Sequence, residues 1–172
     1  MAQQPVTADL LRLALEAYRD EYRDLSESWR NLDTKAQGLV AIAGIFLAAV
    51  FAWTRDLPTT FGTCERLLLV GSCLSLVAAV IAAIWALFIK MMSAPPLGEG
   101  TAHMVRDILR KSKKDLGART EALYNDQITL WKKTNEEMRK HILVKARCIK
   151  FGQGALVLAA VLVSVLAVGT VF

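Results

Sequence analysis

Three stretches of this chain contain no Asp, Glu, Lys, Arg or His: 37–54, 67–89 and 151–172. Such a gap in charge excludes a water-facing surface over those residues. A helix rises about 1.5 Å per residue, so crossing about 30 Å of hydrocarbon takes about 20 apolar residues, and each stretch is in or near that range. Lipid offers no partner for backbone N–H and C=O groups, which predicts that all three cross as α-helices. The same lack of ionisable groups argues against an ion pump or transporter, which needs them at membrane depth. Proline and glycine are missing from 8–36 and from 118–150, so nothing breaks a helix before the first or third stretch.

Cysteine and histidine are scarce. Cys64, Cys73 and Cys148 fall in separate segments, which excludes an intramolecular disulfide or a metal cluster. Cys64 is read as a free thiol or as a bridge between two copies. His103 and Asp107 share a helix face as a solvated pair, and His141, beside Arg139 and Lys140, belongs to a basic collar. There is no HExxH, no phosphate-binding glycine loop and no serine elbow, and Gly152-Gln153-Gly154 is too short for a nucleotide fingerprint. No enzyme, catalytic residue, metal or cofactor is expected. A chain of 172 residues, 54% hydrophobic, suits one compact membrane unit without a separate catalytic domain. Neither a cleaved signal peptide nor a lipid anchor is expected.

What is present is strongly polarised. The segment 90–150 holds fourteen basic residues against seven acids, net +7, while 55–66 is neutral and 1–35 carries net −2. Basic loops stay in the cytoplasm, so the N-terminus and 90–150 are predicted inside, with 55–66 and the C-terminus outside a bacterial inner membrane. The segments are then 1–36 as a cytoplasmic amphipathic helix, 37–54 as span one, and 55–66 as an external loop. Span two is 67–89, a basic cytoplasmic region is 90–150, and span three is 151–172.

Leu11, Leu15, Tyr18, Tyr22, Leu25, Trp29, Leu32, Ala36 and Leu39 recur at alternating steps of four and three. Tyr124, Ile128, Trp131, Asn135, Met138, Ile142, Lys145 and Ile149 do the same. These stripes predict two helices that pair as a coiled-coil-like cytoplasmic stalk, the acidic one against the basic one. Thr7 is placed as the N-cap of the first. Met91–Gly100 reads as an extended break, Thr101–Leu116 as a shorter helix, and Gly117 as its stop or the turn into the long helix.

Small residues recur four apart in the spans: Gly44, Ala48 and Ala52, then Gly71, Ser75, Ala79 and Ala83, and, more weakly because Val163 interrupts it, Ala155, Ala159, Val163 and Ala167. They suit close packing within one chain, or an interface between copies or a pore lining. Lys145, Arg147 and Lys150 suit anionic headgroups where the third span begins. The Arg110–Lys114 cluster lacks interleaved aromatics, so nucleic acid is not the expected partner. Asp33 and Lys35 just before span one, with Asn135, Arg139 and Lys145 on the basic helix, form the candidate polar site. It is read either as a register-setting feature of the seam or as a pocket for an anionic ligand.

The run Leu32-Asp33-Thr34-Lys35-Ala36-Gln37-Gly38-Leu39 resembles the membrane-edge motif of Pycsar-type transmembrane effectors, which are related in layout to SLATT-type membrane effectors. Ala94-Pro95-Pro96 after span two, Tyr124-Asn125-Asp126-Gln127-Ile128-Thr129-Leu130, and Lys145 with Ala146 continue the resemblance. Trp131 and the Arg110–Lys114 cluster depart from it, and no attached nucleotide-sensing domain is expected. The resemblance implies a protein that senses a cyclic nucleotide, or a signal from a partner, and then disrupts the inner membrane. The expectation is an all-α, homo-oligomeric membrane protein that acts as a leak-forming effector of bacterial antiphage defence. The alternative is a structural scaffold whose stalk docks a cytoplasmic protein.

Overall fold

The computed structural model describes residues 4–55, 62–89 and 116–171. Three α-helices account for them: α1 (Gln4–Arg55), α2 (Thr63–Phe88) and α3 (Leu116–Val171), with no strand among the described residues. Each is long and apolar enough to cross a membrane. Thr7 lies inside α1 and is not its N-cap, because α1 already includes Gln4. Gly117 sits in the first turn of α3. The Met91–Gly100 break, the His103–Asp107 pair, the Arg110–Lys114 cluster and nearly all of the expected 101–116 helix lie outside the described residues.

At the start of α2 the Gly62 N–H donates to the Glu65 carboxylate at 2.9 Å, while Arg66 N–H donates to the Gly62 carbonyl. A carboxylate there satisfies an otherwise orphan donor and meets the positive end of the helix dipole.

The chain forms two compact units, Met1–Trp29 with Met91–Ile142, and Arg30–Lys90 with Leu143–Phe172. In the first, the stripe positions are the shielded ones. Leu15, Trp29, Trp131 and Met138 are buried, and Tyr18, Tyr22, Leu25, Tyr124 and Ile128 are half-buried. Tyr22 and Trp131 pack in a T-shape at a centroid distance of 5.3 Å and 76° between planes, with the Arg19 guanidinium 6.0 Å from the Trp131 ring centroid. Edge-to-face aromatic packing adds specificity to a seam that aliphatic contacts alone would leave free to slide.

In the second unit the size pattern is inverted relative to a water-soluble core. Much of its interior is small: Ala36, Ala43, Ala79, Ala83, Ala86 and Ala159 are fully buried, with Ser72 and Ser75 beside them and Leu76 and Leu166 as large apolar side chains among them. Its surface is large and apolar, with Ile45, Phe51, Leu74, Phe88, Val157 and Val168 all exposed. That arrangement suits hydrocarbon, where burying a large side chain gains little and close backbone approach gains much.

The helix directions follow from the contacts. Asp33 meets Lys145 and Leu39 reaches Gly152, so partners advance together and α1 and α3 run parallel here. On α2, Ala79 neighbours Gly152, Ser75 bonds to Ala155 and Gly71 neighbours Leu162, which makes α2 antiparallel to α3. The Ser75 hydroxyl donates to the Ala155 carbonyl at 2.8 Å, a cross-helix bond that holds two small faces in register.

Candidate functional site

Two polar clusters interrupt the apolar stripes, one in each unit. In the first unit, Asn135 is 2% exposed at a stripe position of α3. Its Nδ2 donates to the Tyr18 carbonyl and to Glu21 Oε2, both at 3.0 Å. One turn further on, Arg139 Nη2 donates to Glu21 Oε1. Both oxygens of Glu21 are thus engaged by α3. With two acceptors facing Nδ2, the amide cannot be turned round. Asn135 Oδ1 is buried and has no hydrogen-bond partner among the described residues, which costs about 1–3 kcal/mol and calls for a reason. The Arg139 side chain is 62% exposed, so its guanidinium keeps donors available to an anion from solution.

In the second unit, Lys145 is completely buried, and its Nζ donates to Asp33 Oδ1 at 2.5 Å. Stripe spacing turns Lys145 inward, on the face that also carries buried Ile149, and a carboxylate three residues short of buried Ala36 meets it. Removing an ammonium from water costs several kcal/mol, which the contact with Asp33 offsets.

Of the five residues expected to form one polar site, Asn135 and Arg139 are brought together, Asp33 and Lys145 are brought together, and Lys35 is exposed. Glu21, the carboxylate joining Asn135 to Arg139, was missed in the sequence. It is one of seven acids in 1–35 and stands beside the stripe rather than on it. Of the span positions, Ser75 is buried and bonded, whereas an added Cβ on Gly71 would meet only Leu162 Cδ1, at 3.6 Å. Gly44, Ala48 and Ala52 are exposed, and nothing lies within 4 Å of a Cβ on Gly44. The closest approach is at Gly152, where a Cβ would fall 2.6 Å from Leu39 Cδ2 and 3.3 Å from the Ala79 carbonyl oxygen. Among the described residues no three His, Cys, Asp or Glu side chains gather as a metal site, and the three cysteines are free.

The Pycsar effector protein domain matches residues 17–172. The chain belongs to the Pycsar effector family. No curated protein and no solved structure matches it. Membership agrees with the resemblance carried by the 32–39 and 124–130 runs, and the match takes in Glu21, both polar clusters and all three charge-free stretches. This Pycsar chain is a multi-pass membrane protein and a membrane effector of an antiphage system. The family is named for an effector role rather than for a reaction.

Proposed function

We propose that this Pycsar effector makes the bacterial inner membrane leaky when a cytoplasmic signal such as a cyclic nucleotide reaches it, and that it acts as a homo-oligomer. The N-terminus and 90–150 face the cytoplasm, and 55–66 and the C-terminus face outward, as the basic excess of 90–150 favours. Arg139 and Asn135 of the first unit supply the cationic and amide groups for an anionic signal. Such a ligand competes with Glu21 for Arg139, and helices α1 and α3 contribute residues to both units and carry the change into the spans.

The observation that carries this reading is the small-residue interior of the second unit beside an equally small outward face, Gly44, Ala48 and Ala52. A sealed bundle without charge resists ions, because moving one into apolar surroundings costs many kcal/mol. A leak therefore needs a second packing, and smooth small faces allow helices to exchange neighbours. The test is dye efflux from liposomes holding the purified full-length protein, with a panel of cyclic nucleotides. Efflux is expected with at least one of them, lost in Arg139→Ala, and lost or made signal-independent in Gly71→Leu, whose side chain displaces Leu162. Liposomes that stay sealed under every nucleotide favour the scaffold reading instead.

A further inference from the structure

In the second unit, Trp85 of α2 stands 66% exposed between two shallow apolar grooves of about 580 and 470 Å³. Ile81 and Trp85 border both. The smaller groove lies between α2 and α3: Ile81, Ala82 and Trp85 line it from one helix, Cys148 and Phe151 from the other. Arg147 is the one charged residue in its wall, and it is exposed, with no ion pair or hydrogen bond among the described residues. Trp85 is near the end of one charge-free stretch and Phe151 opens another, so the groove lies where hydrocarbon gives way to headgroups.

We propose that this groove is a binding site for an anionic phospholipid, with one acyl chain along Ile81, Ala82 and Phe151 and the headgroup phosphate on Arg147. Three observations converge on that occupant. The walls are apolar and belong to helices of a membrane protein, so acyl chains are the medium around them. A guanidinium offers a phosphate two parallel donors, and an exposed one has no buried partner to surrender. The charge nearby is one-sided: α3 from Leu143 onward holds Lys145, Arg147 and Lys150 and no acid, and the one acid of 30–55, Asp33, is held by Lys145. A zwitterionic headgroup brings its own ammonium against that field, whereas an anionic one does not. The proposal goes beyond the leak reading, since the lipid binds whether or not the protein conducts.

The test is quenching of Trp85 fluorescence in liposomes by lipids brominated on the acyl chain, taken as the difference between wild type and Trp85→Phe. Brominated phosphatidylglycerol is compared with brominated phosphatidylcholine at equal mole fraction. Phosphatidylglycerol is expected to quench at lower mole fraction, and Arg147→Gln to reduce that preference about fivefold, while Arg147→Lys keeps most of it. Inorganic phosphate in the buffer should not compete. Ala78→Phe, which fills the groove wall while leaving Arg147 in place, should lower quenching by both lipids. Equal quenching by the two lipids, a preference that survives Arg147→Gln, or a Trp85 shielded from both by another copy of the chain would each overturn the proposal.

Discussion

At Lys145 an ammonium lies fully out of reach of solvent, and Asp33, which keeps 34% of its side-chain surface, meets it. Deleting one member of a buried pair leaves a charge without its compensating partner, which costs about 3–5 kcal/mol. Replacing both with apolar residues of similar size is often close to neutral. Asp33→Leu is therefore expected to lower the stability of the detergent-solubilised protein by about 3 kcal/mol, the low end because Asp33 is partly solvated. The double variant Asp33→Leu with Lys145→Met should recover most of that loss in thermal unfolding. A double variant as unstable as the single one would show that the pair itself is not what holds this part of the bundle. The inward turn of Lys145 was legible from its place in the steps of four and three, but its expected place beside Arg147 and Lys150 at the headgroups is overturned by its burial against Asp33. Its partner was legible only as a nearby acid, because spacing along one helix does not say which residue of another helix lies opposite.

Among the elements, the two long helices were the most legible, since an apolar residue at every third or fourth step has one geometrical consequence. The faces of the spans were less so. A four-residue repeat of small side chains marks a face but not what covers it: Ser75, Ala79 and Ala83 pack inside the bundle, while Gly44, Ala48 and Ala52 look outward. Gly152 shows the same limit from the other side. Its need for hydrogen in place of a methyl comes from Leu39 and the backbone of Ala79, both remote in sequence. Two residues on, Gly154 has open space around it. Gly152→Ala should thus cost about 1–3 kcal/mol by overpacking, whereas Gly154→Ala should be neutral or slightly stabilising through better helix propensity. Thermal unfolding of the two variants in the same detergent checks this. Equal midpoints would mean that α2 and α3 do not approach as closely as the Ala79 carbonyl implies.

On the scale of the whole molecule, hydrophobic pattern and charge asymmetry told the class of protein, because lipid permits few alternatives to a charge-free helix. What acts on the polar clusters was not legible: Asn135 and Arg139 stood out on the basic helix, but Glu21, which joins them, looks like an ordinary residue of a surface helix until α1 and α3 are paired. Orientation is tested by a membrane-impermeant thiol reagent on intact cells. Exposed Cys64 should be labelled and half-buried Cys148 spared, and labelling of Cys148 without Cys64 would reverse the assignment. The most direct test of the central claim is membrane potential, followed with a voltage-sensitive dye in infected bacteria that express this protein beside a nucleotide cyclase. A collapse of potential after infection, absent when Arg139→Ala replaces the wild type at equal abundance, is the predicted result. A potential that persists while the wild-type protein is present in the membrane and the nucleotide accumulates would contradict it.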